Sequence, residues 1–472
     1  MTSPAFERIR PLNDAPLRRN AQYVLYWSQM NRRTTANHAL AHAIHLANQL
    51  KLPVLFYEGL TYSYRQANDR IHRFVLEGVP DTAAALETMG IGYVFYLRQT
   101  PQQPNDILYR LASKAAALVT DDYPTFIAAA HNARVPQKLD IPYLAVDSSC
   151  VIPMSKFEKR EYAAYTIRPK IQRLLPSYLK PFEMPRPHFR WKAPIPEFHV
   201  PVHADQFAAL VAACAIDHSV PASTTFRGGA TEARRRLRSF LTRNLKRYAK
   251  ERNQPAAHAT SNLSPYLHFG MIGALEVAVE VQSWAAEHDL SSVEYLEEMI
   301  VRRELAFNFA RYAGEQVESL SCLPDWVRHT LAAHAGDERD PQYTRAQLEA
   351  AATYDDIWNA TQKELLLRGK IHGYYRMYWG KKIIEWSPTY QEALDTMIFL
   401  HDRYALDGRD PNTYTGILWC FGLHDRPWVE RPIFGMLRYM SYDGIKRKTD
   451  VASYLREIAY IEQTGKDPFA LE

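Results

Sequence analysis

Several things this chain of 472 residues lacks narrow its identity before anything it contains. It has no unbroken apolar stretch of the roughly 18 residues that a membrane-spanning helix needs, so no membrane partner is expected. Its opening MTSPAFERIRPLND holds no apolar signal core, which points to a cytoplasmic protein. Only four cysteines occur, Cys150, Cys214, Cys322 and Cys420, far apart and with no CxxC among them. That spacing argues against a disulfide framework or a structural metal, and they read as small buried hydrophobes. No GxGxxG follows the first apolar strand, so the usual dinucleotide fingerprint is missing. Internal repeats and low-complexity tracts are absent too, and a net charge of +5 is too small to name a partner.

What is present divides the chain. The first part alternates short apolar runs (residues 23–27, 53–58, 93–98, 117–122 and 143–148) with amphipathic stretches such as residues 35–50. This is the pattern of an α/β domain built on a parallel, Rossmann-like sheet, whose ligands usually meet strand C-terminal ends; residues 53–59 and 119–124 are the candidates. A proline-rich stretch, LLPSYLKPFEMPRPHFRWKAPIPEFHVP, then reads as an extended linker. The remainder has helical periodicity almost throughout, with segments at 293–311, 354–368, 372–386 and 390–404. The expected organisation is an α/β domain at 1–175, a linker at 176–230 and an all-α domain at 231–472.

Four stretches carry chemistry. TSNLSPYLHFG (260–270) supplies hydroxyls ahead of a helix that Ser264 should cap and Pro265 should open, a place suited to phosphate or to plain capping. In EEMIVRREL (297–305), Glu298 and Arg302 share a helix face, as a surface pair or as the wall of a cavity. KIHGYYRMYWGKKIIEW places Trp379 and Trp386 about two turns apart; such a stripe is usually core, yet stacked indoles can also relay electrons, with Trp358 as a third member. LHDRYALDGRDPN (400–412) gathers Asp402, Arg403, Asp407, Arg409 and Asp410 around one glycine, either as a solvated loop or as a buried loop gripping a polar ligand. Two basic stretches, 233–252 and 446–448, fit either a polyanion or a solvated helix face.

Taken together, SNLSPYLHFG, VRREL, WNATQ, GKIHGYYRMYWGKKIIEW, DRYALDGRDPN and RPIFGMLRYMSYDGIKRK, with EYAAYTIRPK earlier, resemble the class II cyclobutane pyrimidine dimer photolyases of the photolyase/cryptochrome family. The resemblance spans nearly the whole chain and is strongest after Tyr248. It implies an FAD-binding helical domain and light-driven repair of UV-damaged DNA by electron transfer from reduced FAD. It assigns Tyr248, Thr260, Ser261, Leu263 and Ser264 to the FAD phosphates and ribityl chain, an Arg376–Asp407 pair beside the flavin, and Asp407, Gly408 and Asp410 to cofactor contacts. Glu298 should hydrogen-bond the dimer, with Arg302, Met377 and Trp419 at the lesion. Arg252, Asn253, Arg426, Trp428 and Arg438 should meet or wedge the DNA, and Trp379, Trp358 and Trp386 should form the relay that photoreduces FAD. A monomer is expected, and an antenna chromophore is left open.

Four positions depart from the family pattern. His401 stands where the family has an Asn facing flavin N5. The stretch WCFGLHD (419–425) is one residue short, and Phe307 replaces an acidic residue. SQMNRRTTANHAL (28–40) keeps only part of an arginine-rich pattern. They leave open a second function class, a photolyase-like flavoprotein with an altered role, as a cryptochrome-like photoreceptor or as a light-driven enzyme on another substrate.

Overall fold

The structure is a computed structural model and describes residues 6–470. Six strands form one sheet: β1 (Ile9–Pro11), β2 (Tyr23–Ser28), β3 (Val54–Thr61), β4 (Gly92–Arg98), β5 (Ala115–Asp121) and β6 (Tyr143–Val146). Their order is β1-β6-β5-β2-β3-β4, parallel everywhere except between β1 and β6. Helices cover both faces, so β2 and β5 are buried at every position, which is why they read as continuous apolar runs rather than alternating ones. β1 is the strand with no counterpart in the sequence reading. Its three residues IRP carry no apolar pattern, and it exists because Ile9 falls opposite Val146 at the sheet edge.

The winding reverses between β2 and β5, the usual ligand position in such sheets. Here the gap is laced by Asp121, which accepts the backbone N–H groups of Gln29, Met30 and Asn31 at 2.9, 2.8 and 3.0 Å. Two cavities open beside it. One is bordered by Trp27, Gly59, Tyr64, His131 and Arg409. The other, of about 470 Å³, is bordered by Asp122, Tyr123, Arg10, Arg311 and Phe307.

The helix Ala164–Tyr178 runs past residue 175, and the chain then lies extended along β4. The Trp191 N–H donates to the Gly90 carbonyl and the Val200 N–H to the Phe95 carbonyl, each at 2.8 Å. Gly92 makes room for this strap, since a Cβ there would stand 2.4 Å from the Trp191 ring. The rest is helical, from Ala230–Ser239 to Val451–Thr464. The two halves share a core in which Phe56 of the sheet and Met30 just after β2 join the same apolar cluster as Phe240, Tyr248, Leu263 and Phe269. All four cysteines are buried and free. No helix among the described residues is long and apolar enough to cross a membrane.

Candidate active site

The charged stretch at 400–412 is a buried connection: the end of the helix Tyr390–Tyr404, a loop at 405–410 and the start of the helix Pro411–Cys420. Every residue from 404 to 411 is buried, and its charges are met internally. Asp402 accepts from Arg65 Nη2 at 2.5 Å, Arg409 donates to the Asp402 carbonyl, and Arg403 pairs with Asp217 and Glu349. Asp410 caps the helix Pro411–Cys420 by accepting the Asn412 N–H at 2.8 Å, and it accepts the Tyr123 hydroxyl at 2.6 Å. Gly408 is needed where the chain folds back, because a Cβ there would sit 2.6 Å from the His401 carbonyl.

Asp407 is the member turned towards a cavity. Arg376 Nη2 reaches its two carboxylate oxygens at 3.0 and 3.1 Å, and the Ser264 hydroxyl donates to Oδ2 at 2.7 Å. Burial pushes the Asp407 carboxyl up, but Arg376, Lys370 and Ser264 outweigh it and hold it below its ordinary value. Ser264 is therefore not the helix cap expected of it. It is the first residue of the short helix Ser264–His268, with Leu263 in the cap position, because its hydroxyl is given to Asp407. Thr260 donates to Asn262, and Ser261 accepts the Tyr295 hydroxyl at 3.1 Å.

These groups surround one cavity of about 360 Å³, bordered by Tyr248, Ser261, Ser264, Arg376, Asp407 and Asp410, with Glu298 at its mouth. Thr260 faces an adjoining space, while Leu263 is buried behind the loop. The residues expected around a cofactor are thus brought together from four separate segments. Lys370, Tyr295, Met299, Arg303, Asn412 and Thr413 also line the cavity, and the sequence reading does not mark them. Lys370, Arg303 and Asn412 lie inside the quoted motifs; the others carry no signal beyond adjacency to marked residues.

At the mouth, Glu298 Oε1 accepts from Arg252 Nη1 at 2.6 Å. The helix around Glu298 contains a π turn at Glu297–Arg302, an insertion of the kind frequent at functional sites. Glu297 pairs with Arg168 and Arg302 while Glu298 faces Arg252. Arg302 lies over Trp419 at 5.6 Å, and Met377 touches Cys420 beside it. Farther out, Arg426 and Arg438 both lean on the exposed Trp428 ring, at 5.0 and 5.4 Å. Asn253 is exposed next to Arg252. The short 419–425 segment is anchored by His424, whose Nδ1 donates to the Tyr162 carbonyl at 2.6 Å. Much of the basic run at 233–252 is paired, mostly with carboxylates outside it: Arg234 pairs with Glu276, Arg235 and Arg236 with Glu232, Arg247 with Glu251 and Arg252 with Glu298.

On the other side, Trp379 and Trp358 stack with centroids 6.3 Å apart and planes at 2°, and Trp386 meets Trp358 edge-on at 5.5 Å. All three are buried, and Tyr354, 62% exposed, lies 5.6 Å from Trp386. His401 stands edge-on to Trp379 at 4.9 Å, and its Nδ1 donates to the Met397 carbonyl at 3.0 Å. That bond fixes the tautomer, leaving Nε2 as a buried acceptor without a partner among the described residues. Burial, then Arg376, lowers the His401 pKa to about 3, so the ring is neutral at physiological pH. Phe307 is buried edge-on to Tyr123, beneath the Arg303 guanidinium.

Comparison with known proteins supplies the family. The sequence pattern described as DNA photolyase matches residues 24–187. Over 464 residues the chain is 41% identical to a protein from Methanothermobacter thermautotrophicus named deoxyribodipyrimidine photo-lyase, covering 96% of this chain and 98% of that one. Among solved structures, a bacterial class III photolyase from Agrobacterium tumefaciens superposes with a TM-score of 0.69 at 17% identity, covering 96% of this chain and 91% of that one. An archaeal photolyase from Sulfolobus tokodaii, solved with two FAD molecules, gives a TM-score of 0.66 at 16% identity over 95% and 96%. These two share the fold, and the full-length match at 41% identity settles the rest: the chain belongs to the DNA photolyase family of enzymes.

Proposed function

We propose that this chain is a class II enzyme that splits cyclobutane pyrimidine dimers in DNA by light-driven electron transfer from reduced FAD. The observation that carries this reading is one cavity that gathers two ion pairs, with an indole stack deeper in the same domain. The Arg376–Asp407 pair and the hydroxyls of Ser261 and Ser264 form one wall, and the Arg252–Glu298 pair stands at the mouth.

A flavin dinucleotide fits this chemistry. The cavity has polar donors for a phosphate-bearing chain, a charged pair beside a ring-sized space, and an adjoining space reached past Thr260 and Lys370. Bound there, reduced FAD would supply the photoexcited electron that opens the dimer. Arg376, tied to Asp407, holds positive charge against the ring while Ser261 and Ser264 orient the chain. His401, neutral and with a fixed tautomer, offers Nε2 as an acceptor. Glu298 hydrogen-bonds the flipped lesion once Arg252 turns from it towards a phosphate, and Met377 and Trp419 pack on the bases. Arg426 and Arg438 meet the backbone with Trp428 as the wedge. Trp379, Trp358 and Trp386 conduct electrons inwards to keep the cofactor reduced.

One observation favours the second reading, a photolyase-fold flavoprotein with another role: His401 where the family has Asn, together with the shortened 419–425 segment. Blue-light repair of a dimer-containing oligonucleotide by the purified, pre-reduced protein separates the two. Recovery of thymine absorbance supports repair. Flavin-loaded, reduced protein that leaves the dimer intact refutes it in favour of the second reading.

A further inference from the structure

Lys370 sits in the short connector between the helices Asp356–Arg368 and Gly373–Trp386. The first helix stops at Gly369, whose backbone is left-handed. A Cβ on Gly369 would stand 3.1 Å from Arg70 Cδ and 3.2 Å from Leu406 Cγ, which leaves the connector little freedom. The Leu406 N–H donates to the Gly369 carbonyl at 2.8 Å, and Ile371 is fully buried. Lys370 is therefore held from both sides by packed backbone.

The two cations flanking it each have a carboxylate partner. Arg368 is ringed by three carboxylates, from Glu364, Glu457 and Asp467. Arg376 belongs to Asp407. The Lys370 ammonium makes no hydrogen bond and no ion pair among the described residues. Burial lowers its pKa, which Asp407 at a distance only partly offsets. Lys370 is half-buried, and an ammonium with restricted hydration and no direct counter-charge is a cost that a ligand of opposite charge relieves.

Its position indicates which ligand. Lys370 lines both the cavity that holds Ser261, Ser264 and Asp407 and the adjoining one that holds Thr260 and Asn262. It thus stands at the partition between two spaces, among neutral hydroxyls, of which Ser264 and Thr260 already donate to Asp407 and Asn262. Of the cations lining the larger cavity, Arg376 is paired with Asp407, and Arg303 donates to the Ser149 carbonyl at 2.7 Å and stacks on Phe307. A compact ammonium with three donors suits a phosphate, whose negative charge the neutral hydroxyls leave unbalanced.

We propose that Lys370 is the charge partner of the pyrophosphate bridge of the dinucleotide, held by its Nζ between the two cavities. This rests on the FAD reading above and adds to it the group that neutralises the phosphates. The dinucleotide's two halves then lie on either side of the lysine, the flavin half towards Asp407 and the remainder towards Thr260 and Asn262.

The test uses Lys370→Met, which keeps the length of the side chain and removes its charge, with Lys370→Gln as a second variant. Flavin-free protein is titrated with FAD and, separately, with riboflavin, which has no phosphate; flavin fluorescence and the melting temperature of the flavin-free protein are followed. FAD affinity is expected to fall roughly 10- to 100-fold, the size of a lost charged hydrogen bond, while riboflavin affinity is unchanged. FAD binding to the wild type should weaken as salt is raised, and binding to the variants should respond less. The flavin-free variants should melt at the same temperature or higher, because an uncompensated charge is gone. Equal losses for FAD and riboflavin, or no loss for either, overturn the assignment. Wild-type protein that takes up neither flavin overturns the FAD reading itself, and the lysine's role with it.

Discussion

Two ion pairs in this molecule have the same chemistry and opposite surroundings. Arg376–Asp407 has side chains 18% and 8% exposed, while Arg252–Glu298 has side chains 31% and 41% exposed. The first is backed by Ser264 and by a connection whose Asp402 and Arg403 have ion-pair partners of their own. The second stands at the cavity mouth on a π turn. A buried pair cannot lose one member without stranding the other in a medium that solvates it poorly, whereas an exposed pair contributes little and exchanges partners cheaply. The contrast separates their roles. The inner pair is fixed by its surroundings, and the outer pair is free to exchange partners.

The largest effect should come from breaking the inner pair. Asp407→Ala leaves Arg376 buried and unmatched, and should cost about 3–5 kcal/mol of stability and give colourless protein. Thermal unfolding and the visible spectrum of the purified variant check this; a stable yellow variant would place the cofactor elsewhere. Trp358→Phe lies behind the same wall but touches no charge. It should leave the colour intact and abolish photoreduction under blue light with an external reductant, and undiminished photoreduction would remove Trp358 from the relay.

A third test sharpens what burial does to the inner wall. His401 and His372 have pKa values lowered to about 3 by burial, and His424 to about 4, from an ordinary 6.5. Between these limits the unfolded chain binds protons that the folded one refuses, so stability rises with pH and falls as pH drops below about 6.5. Each such histidine contributes a slope of about 1.4 kcal/mol per pH unit. His401→Asn should flatten the melting profile in that window by one such increment, and an unchanged slope would mean that the ring is not held neutral.

The smallest effect belongs to the outer pair. Arg252→Ala should change stability by less than about 1 kcal/mol. If Arg252 meets a phosphate, the same variant should lower the slope of log DNA affinity against log salt by about 1. A large loss of stability, or an unchanged salt slope, would erase the difference between the two pairs.

Much of this is legible in the sequence for identifiable reasons. The five parallel strands announce themselves because burial on both faces forces unbroken apolar runs, and the segment 400–412 because so many charges around one glycine demand either water or partners. The short edge strand β1 escapes because its three residues carry no pattern, and only the register to Val146 makes a strand of them. Ser264 reads as a cap because its competing partner, Asp407, is 143 residues away in the chain. The Arg252–Glu298 contact escapes for a similar reason, its members being 46 residues apart. The charge of 233–252 looks available because its carboxylate partners Glu276 and Glu298 lie outside the run. Lys370 draws no attention because what distinguishes it, the lack of a counter-ion, is not a property of sequence.

Gly380 has a consequence of its own. A Cβ at this position would stand 2.5 Å from the Cys420 sulfur, so the helix Gly373–Trp386 lies against the helix Pro411–Cys420 with only a hydrogen atom to spare. The first helix carries Met377 on the side of Cys420 and Trp379 on the side of Trp358; the second carries Trp419. Met377, Trp419 and the Trp379 indole are therefore bolted to one beam, and a single spacing sets them all. An alanine at 380 would push the two helices apart and disturb the Met377 and Trp419 side chains and the Trp379–Trp358 stack together, as one mechanical fault.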